Sequence, residues 1–252
     1  MSDAYLRQVL AHYAVDNGLY SPVRQVQSLL APTINKWGGQ YVLSVEPSGS
    51  FAKGTAVRTG TDIDLFVSLS SNTPNTLAQI YETLFNALSG SGFQPKRQNV
   101  SIGLRIGGAY DVDIVPAKRQ SQYGNDHSLY SNRTGTWLQT NVTRHISEVC
   151  GSNRSDEIRL LKIWRNRKGL DFPSFYLELT VISALHGRWS GNLSANVVAA
   201  LEFIRDHIST TRFIDPANTN NVVSDSVSTA GKQNLAAAAR VALASKWEDE
   251  FA

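Results

Sequence analysis

The stretch Gly49-Ser50-Phe51-Ala52-Lys53-Gly54-Thr55-Ala56-Val57-Arg58-Thr59-Gly60-Thr61-Asp62-Ile63-Asp64-Leu65-Phe66-Val67 joins a Gly-Ser turn to an Asp-x-Asp pair at the head of a strand-forming run. Residues 62 to 69 are rich in branched and aromatic side chains, which suit a pleated, half-buried surface. Successive side chains of an extended segment point to opposite faces, so Asp62 and Asp64 share one face while Ile63 and Leu65 take the other. Two carboxylates held that close repel each other, and a divalent cation between them relieves the repulsion. Hard oxygen donors select Mg²⁺, with Mn²⁺ as the alternative.

A second alternating pair stands at Tyr110-Asp111-Val112-Asp113-Ile114-Val115-Pro116. One Asp-x-Asp pair on a strand is most simply a solvated face. Two such pairs, the first lying twelve residues after Ser50, point to a site. If the strands are neighbours, an aspartate of the second pair completes a three-carboxylate centre for two metal ions, which would polarise an attacking hydroxyl and a leaving pyrophosphate. Gly49 lets backbone approach a ligand, and Ser50 offers a hydroxyl and an N–H to phosphate oxygens; a short helix starting here would add a partial positive charge.

Around these pairs, Ser21-Pro22 is a cap and first-turn signal. Val23, Val26, Leu29 and Leu30 follow at helical spacing, giving a helix that ends or kinks near Pro32. Residues 41 to 46 read as a strand, and Asn75 as the cap of a helix ending near Gly90. Residues 94 to 106 and 109 to 115 read as strands separated by Gly107-Gly108, the second stopped by Pro116. Beyond residue 130, helical periodicity is expected near 134 to 150, 154 to 168, 174 to 188, 194 to 209 and 229 to 248. The segment 210 to 228 reads as a long loop, of a length more often functional or disordered than idle. Strands followed by helices imply an α+β chain: a mixed sheet lobe over residues 1–130, with N-terminal helices, and a helical lobe over 131–252.

The order Gly49-Ser50, Gly54-Thr55, Thr61-Asp62-Ile63-Asp64-Leu65 and then Asp113-Ile114-Val115-Pro116-Ala117 resembles the polymerase-beta-like nucleotidyltransferases. Within them it is most similar to the branch of the oligoadenylate synthases, the cyclic GMP-AMP synthases and the bacterial cyclic-oligonucleotide synthases. The resemblance covers roughly residues 40 to 240. It implies a bilobed fold with the active site in the cleft between a mixed sheet lobe and a helical lobe. It also implies Asp62, Asp64 and Asp113 as catalytic metal ligands for two Mg²⁺ ions, and it selects Asp113 over Asp111, because the family's third carboxylate directly precedes a hydrophobic pair and Pro-Ala.

The resemblance extends to Leu160-Leu161-Lys162-Ile163-Trp164, where the family carries a lysine on the nucleotide's phosphates; on an isolated helix, Lys162 would read as a solvated surface lysine. In Phe172-Pro173-Ser174-Phe175-Tyr176-Leu177-Glu178-Leu179 it assigns Ser174 to phosphate and Phe175 to base stacking, while the apolar positions could equally pack a core. Stacking tolerates any base, so this pocket does not choose ATP over GTP. Gly49 and Ser50 join Lys162, Ser174 and Phe175 as the nucleotide-binding set. Asp215-Pro216, with Asn218 following, matches a family segment that carries over no chemistry. Lys53 and Arg58 read as an exposed basic loop, and the five histidines show no metal-ligand spacing.

The implied activity is joining of nucleoside triphosphates with release of pyrophosphate, to make a cyclic di- or oligonucleotide second messenger for antiphage signalling. The alternatives are nucleotide addition to RNA, as in CCA-adding enzymes, or a catalytically inactive nucleotide-binding protein. A net charge of +3 is far from the basic field of a dedicated duplex-DNA binder. Cys150 is the only cysteine, so no cysteine-based zinc module is available for activation by DNA. Licensing by a regulatory protein partner stays open. No apolar run is long enough to span a membrane, the N-terminus lacks a signal pattern, and the single cysteine favours a reducing cytoplasm.

Overall fold

The computed structural model describes residues 2–59 and 62–251, so Gly60 and Thr61 of the opening stretch lie outside the described residues. Along the chain, helices α1 (Asp3–His12) and α2 (Pro22–Gly38) lead into β1 (Val42–Pro47), the single turn α3 (Gly49–Ala52), β2 (Ile63–Leu69) and α4 (Leu77–Gly90). Strands β3 (Lys96–Arg97), β4 (Ile102–Ile106), β5 (Tyr110–Arg119), β6 (His127–Ser131) and β7 (Thr136–Thr140) follow. The remainder is α5 (Val142–Gly151), α6 (Ser155–Arg167), α7 (Ser174–Ala184), α8 (Leu193–His207), the hairpin β8 (Ile214–Asp215) and β9 (Asn218–Val222), α9 (Thr229–Ala244) and α10 (Trp247–Phe251).

The chain divides into two compact units. One comprises residues 16–52 and 62–146, the other 1–15, 53–61 and 147–252. Leu6, Val9 and Leu10 of α1, together with Val57, bury in the same core as α6 to α10, which carries the N-terminal helix and the segment after Ala52 into the helical unit.

In the first unit, among the described residues, a seven-stranded sheet runs in the order β1-β2-β5-β4-β3, with β6 paired to β5 and β7 to β6. The β2–β5 pair is parallel and the other pairs are antiparallel. One face of β2 and β5 buries Ile63, Leu65, Val112 and Ile114 against Val23, Val26, Leu30 and Ile34 of α2 and Tyr81, Leu84 and Leu88 of α4. Apolar burial of this kind stabilises by about 25 cal/mol per Å², so the register that hides these residues is strongly enforced.

Several local expectations change. Helix α2 passes through Pro32 to Gly38, because Ile34 extends its buried stripe and packing outweighs one lost backbone hydrogen bond. The cap of α4 is Thr76 rather than Asn75, in a reciprocal capping box with Gln79. Strand β5 continues through Pro116: on one side β4 pairs only as far as Ile114 and β6 begins at Ala117, so the proline's missing N–H interrupts no ladder bond there. Residues 127 to 140 form a β6–β7 hairpin turning at Gly135, φ +67°, instead of the start of a helix.

The second unit is helical apart from the β8–β9 hairpin. The segment 210 to 228 is ordered as this hairpin and a 3₁₀ turn. Asp215 organises it, accepting from Ala217 N (2.8 Å) and Asn221 Nδ2 (3.1 Å). None of the described helices is long and apolar enough to cross a membrane.

Candidate active site

The parallel β2–β5 register sets Asp64 directly beside Asp113, with Ile63 beside Val112 and Leu65 beside Ile114. Paired positions on adjacent strands share a face, and adjacent strands lie about 4.8 Å apart. The two aspartates therefore stand together on the face opposite the apolar core. Asp62, just ahead of β2, is exposed; Asp64 and Asp113 are half-buried.

Asp62, Asp111 and Asp113 line a cavity of about 300 Å³ together with Lys96, Gln98, Gly103 and Arg105. Burial pushes the Asp113 carboxyl above its ordinary range, the charges of Asp62 and Asp111 add to that, and a hydrogen bond from Gln98 opposes it. Asp111 behaves differently. It lies across the ladder from Arg105 and pairs with it at 3.3 Å in an exposed ion pair, so its charge is matched at the surface.

Gly49 and Ser50 form the single turn after β1, both half-buried. Gly49 has φ +56°, and a Cβ there would stand 1.7 Å from Asp64 Oδ2. Glycine is needed at this point on two grounds: the backbone is left-handed and the carboxylate occupies the side-chain space. Ser48 N donates to Asp64 O at 2.8 Å, tying the turn to β2.

Among the described residues, no three His, Cys, Asp or Glu side chains are drawn together closely enough to hold a metal ion. The donor chemistry still fits a hard divalent cation. The aspartates of the two motifs supply carboxylate oxygen only, Asp64 and Asp113 stand on one sheet face, and the negative charges of Asp62 and Asp111 work against the Asp113 carboxylate.

In the helical unit, Lys162 is no surface lysine. It is 2% exposed, and its Nζ donates to Glu178 Oε1 at 2.7 Å and to Thr55 Oγ1 at 2.9 Å. Lys53, expected in an exposed loop, donates to Glu178 Oε2 at 2.8 Å, and its ammonium sits 4.5 Å from the centroid of the Phe175 ring. Thr55 Oγ1 also donates to Glu178 Oε1, at 2.8 Å. Burial lowers the Lys162 pKa to about 8. Burial also works against the Glu178 carboxylate, but the two ammonium groups outweigh it and hold that carboxyl below the usual range. Ser174 opens α7 and accepts from Arg165 Nη1 at 3.0 Å. Phe175 is half-buried beside it.

Sequence reasoning overlooked Glu178, Thr55, Gln98 and Gly103. A charged residue inside the apolar run Leu177-Glu178-Leu179 signals a paired buried charge, and a glycine inside Ile102-Gly103-Leu104 signals a close approach.

No family model matches the chain. It is 31% identical over 158 residues to a cyclic AMP-AMP-AMP synthase of Escherichia coli (strain MS 115-1), a match covering 55% of this chain and 49% of that protein. The chain thus spans about half the length of the curated relative it matches. Among solved structures it is similar to CdnC of E. coli MS115-1, solved with ATP and also in a complex with HORMA-deltaN. The ATP structure superposes with a TM-score of 0.75 at 22% identity, covering 97% of this chain and 91% of that one. The CD-NTase CdnG of Bradyrhizobium diazoefficiens, in complex with GTP, superposes with a TM-score of 0.82 at 15% identity over 99% of this chain and 95% of that one. These likenesses establish the fold: the chain has the polymerase-beta-like nucleotidyltransferase fold of the CD-NTases, as the sequence motifs led one to expect.

Proposed function

We propose that this chain is a Mg²⁺-dependent nucleotidyltransferase that joins nucleoside triphosphates into a cyclic di- or oligonucleotide, with release of pyrophosphate. The observation that carries the reading is the side-by-side register of Asp64 and Asp113 on parallel strands, with Asp62 and Asp113 on one cavity. The similarity to a cyclic AMP-AMP-AMP synthase supports cyclic oligonucleotide synthesis over other nucleotidyl transfers. An intact carboxylate set argues against an inactive relative, because clustered charge is costly to keep.

Asp62, Asp64 and Asp113 would hold two Mg²⁺ ions, or Mn²⁺, which when bound supply charge stabilisation at the attacking and leaving oxygens. The acceptor hydroxyl attacks the α-phosphate, forming the new O–P bond as the bond to pyrophosphate breaks and the hydroxyl proton is lost. For ring closure, the linear product's own ribose hydroxyl attacks the α-phosphate of its remaining triphosphate, and the bond to a further pyrophosphate breaks as the ring closes.

Gly49 and Ser50 are proposed to receive phosphate oxygens, Ser174 a phosphate, and Phe175 a base face. Lys162, at 2% exposure, is proposed to act on the nucleotide through its field rather than by contact; with Lys53 and Glu178 it leaves one net positive charge in a poorly solvated setting.

ATP and GTP occupy the CdnC and CdnG structures, and CdnC assembles with HORMA-deltaN. We extend these to nucleoside triphosphate substrates and a regulatory protein partner for this chain, acting in the cytoplasm in antiphage signalling. The test is incubation with four labelled nucleoside triphosphates and Mg²⁺ or Mn²⁺, then phosphatase, chromatography and mass spectrometry. Phosphatase-resistant cyclic products that vanish in Asp62→Asn and Asp64→Asn support the reading. Extension of tRNA with no cyclic product under either metal overturns it in favour of RNA addition.

A further inference from the structure

Across the β4–β5 ladder, Gly103 is the residue opposite Asp113. A Cβ at Gly103 would stand 2.7 Å from Gln98 Nε2 and 3.6 Å from Asp113 Oδ1. The missing side chain leaves the space that the Gln98 amide occupies beside the Asp113 carboxylate, and the Gln98 amide and the Ser101 hydroxyl both favour the charged form of that carboxylate.

Gln98 is itself held in orientation. The Ser101 hydroxyl donates to Gln98 Oε1, which fixes the amide so that its NH₂ end is the one presented to Asp113. The loop between β3 and β4 is pinned from beneath by Tyr81, fully buried, whose hydroxyl donates to Ser101 O at 2.9 Å and accepts from Gln98 N at 3.1 Å. Gln98 N also donates to Ser101 O at 3.2 Å. This chain of contacts runs from the core of the sheet unit to the rim of the carboxylate cavity. Glycine at 103 removes a side chain from a strand interior, and Gln98 is an exposed residue on a short edge segment.

We infer that Gln98, admitted by Gly103 and oriented by Ser101, is a positioning residue that fixes the Asp113 carboxylate in the rotamer needed to ligate a divalent cation. The inference rests on the proposed role of Asp113. An amide donor suits the task. It can bond one carboxylate oxygen and leave the other lone pairs for the cation, and it brings no charge of its own to compete for the ion. The same device occurs at the neighbouring carboxylate, where Gly49 makes room for Asp64. At Gly49 the absent Cβ leaves room for the carboxylate itself, and at Gly103 it leaves room for the Gln98 amide beside the carboxylate.

The test is Mn²⁺ binding followed by electron paramagnetic resonance, with a non-hydrolysable ATP analogue present, on wild type, Gln98→Leu, Gly103→Ala and Asp113→Asn, with thermal melting of each. Outer-shell partners of metal ligands are worth about 10–100-fold in affinity. Gln98→Leu is expected to weaken Mn²⁺ binding by about 10-fold at an unchanged melting temperature, and Gly103→Ala to do the same by displacing the amide. Asp113→Asn should lose the site. If Asp113→Asn weakens Mn²⁺ binding and Gln98→Leu leaves it within about twofold of wild type, well below the outer-shell range, the positioning role is overturned while the carboxylate reading survives. If Asp113→Asn itself binds Mn²⁺ as wild type does, both fall.

Discussion

A Cβ on Gly49 would stand 1.7 Å from Oδ2 of Asp64, so the turn after β1 and the carboxylate on β2 are built around one another. Gly49→Ala must move either the left-handed turn or the carboxylate. A displacement of about 1 Å at a reacting centre can cost about 10²-fold in rate, and that is the loss expected here. The strained backbone adds about 1 kcal/mol of destabilisation. Initial rates of nucleotide joining beside a thermal melt separate the two effects: a small change in melting with a large loss of rate is the expected pattern.

Asp111 and Asp113 are alternate residues of one strand with opposite expectations. Asp113→Asn removes a charge from the half-buried position beside Asp64 and should lower product formation by about 10³-fold, the scale of losing one preorganised electrostatic group. Asp111→Asn loses only an exposed pair with Arg105, an interaction typically worth less than about 1 kcal/mol, and should stay within a few-fold of wild type. Equal losses in the two variants would refute the choice of Asp113 as the third carboxylate.

Glu178 holds two lysines with one carboxylate. Glu178→Gln leaves the buried Lys162 ammonium without its counter-charge and is expected to cost about 3–5 kcal/mol, measured by urea unfolding. The pH dependence has a definite sign. Because the folded state holds the Glu178 carboxyl below its usual range, the unfolded chain takes up the proton first as pH falls. The contribution is complete above the ordinary carboxylate range and is lost as pH drops through it. Wild-type stability should fall more steeply with acid than that of the variant.

His127 is buried on β6, with Nδ1 2.8 Å from Asn125 O and Nε2 2.8 Å from the Ser68 hydroxyl. A carbonyl can only accept, so Nδ1 carries the proton and Nε2 accepts from Ser68. Burial lowers the imidazole pKa, so the unfolded chain binds the proton first as pH falls through about 6.5. Melting temperature should decline from pH 7.5 to 5.5 in the wild type, and this part of the decline should be absent in His127→Gln. A slope unchanged by the substitution would locate the acid sensitivity elsewhere.

The helices with long apolar periodicity, α2, α4 and α6 to α9, were legible because one face of each must meet a core, and the amino acids spell that face out. The β6–β7 hairpin was not: its own pairing is local, Leu129 facing Leu138, but β6 is held to the sheet by Ala117 opposite Leu129, twelve residues away and outside any local window. Pro116 misled for a similar reason: whether a proline stops a strand depends on which neighbour lies beside it, and here β4 has ended and β6 has just begun.

The alternation of Asp62 with Ile63 and Asp64, and of Asp111 with Val112 and Asp113, determined by itself that each segment shows carboxylates on one face and apolar side chains on the other, because extended backbone has a period of two. Only the tertiary structure decided that Asp64 stands beside Asp113, that Asp111 is matched by Arg105, and that Lys162 and Lys53 share the carboxylate of Glu178. Apart from Arg105 and Asp111, six residues apart across a hairpin, those pairings join residues far apart in sequence. They are chosen by register and burial, which enforce charge matching only once the chain has closed around them.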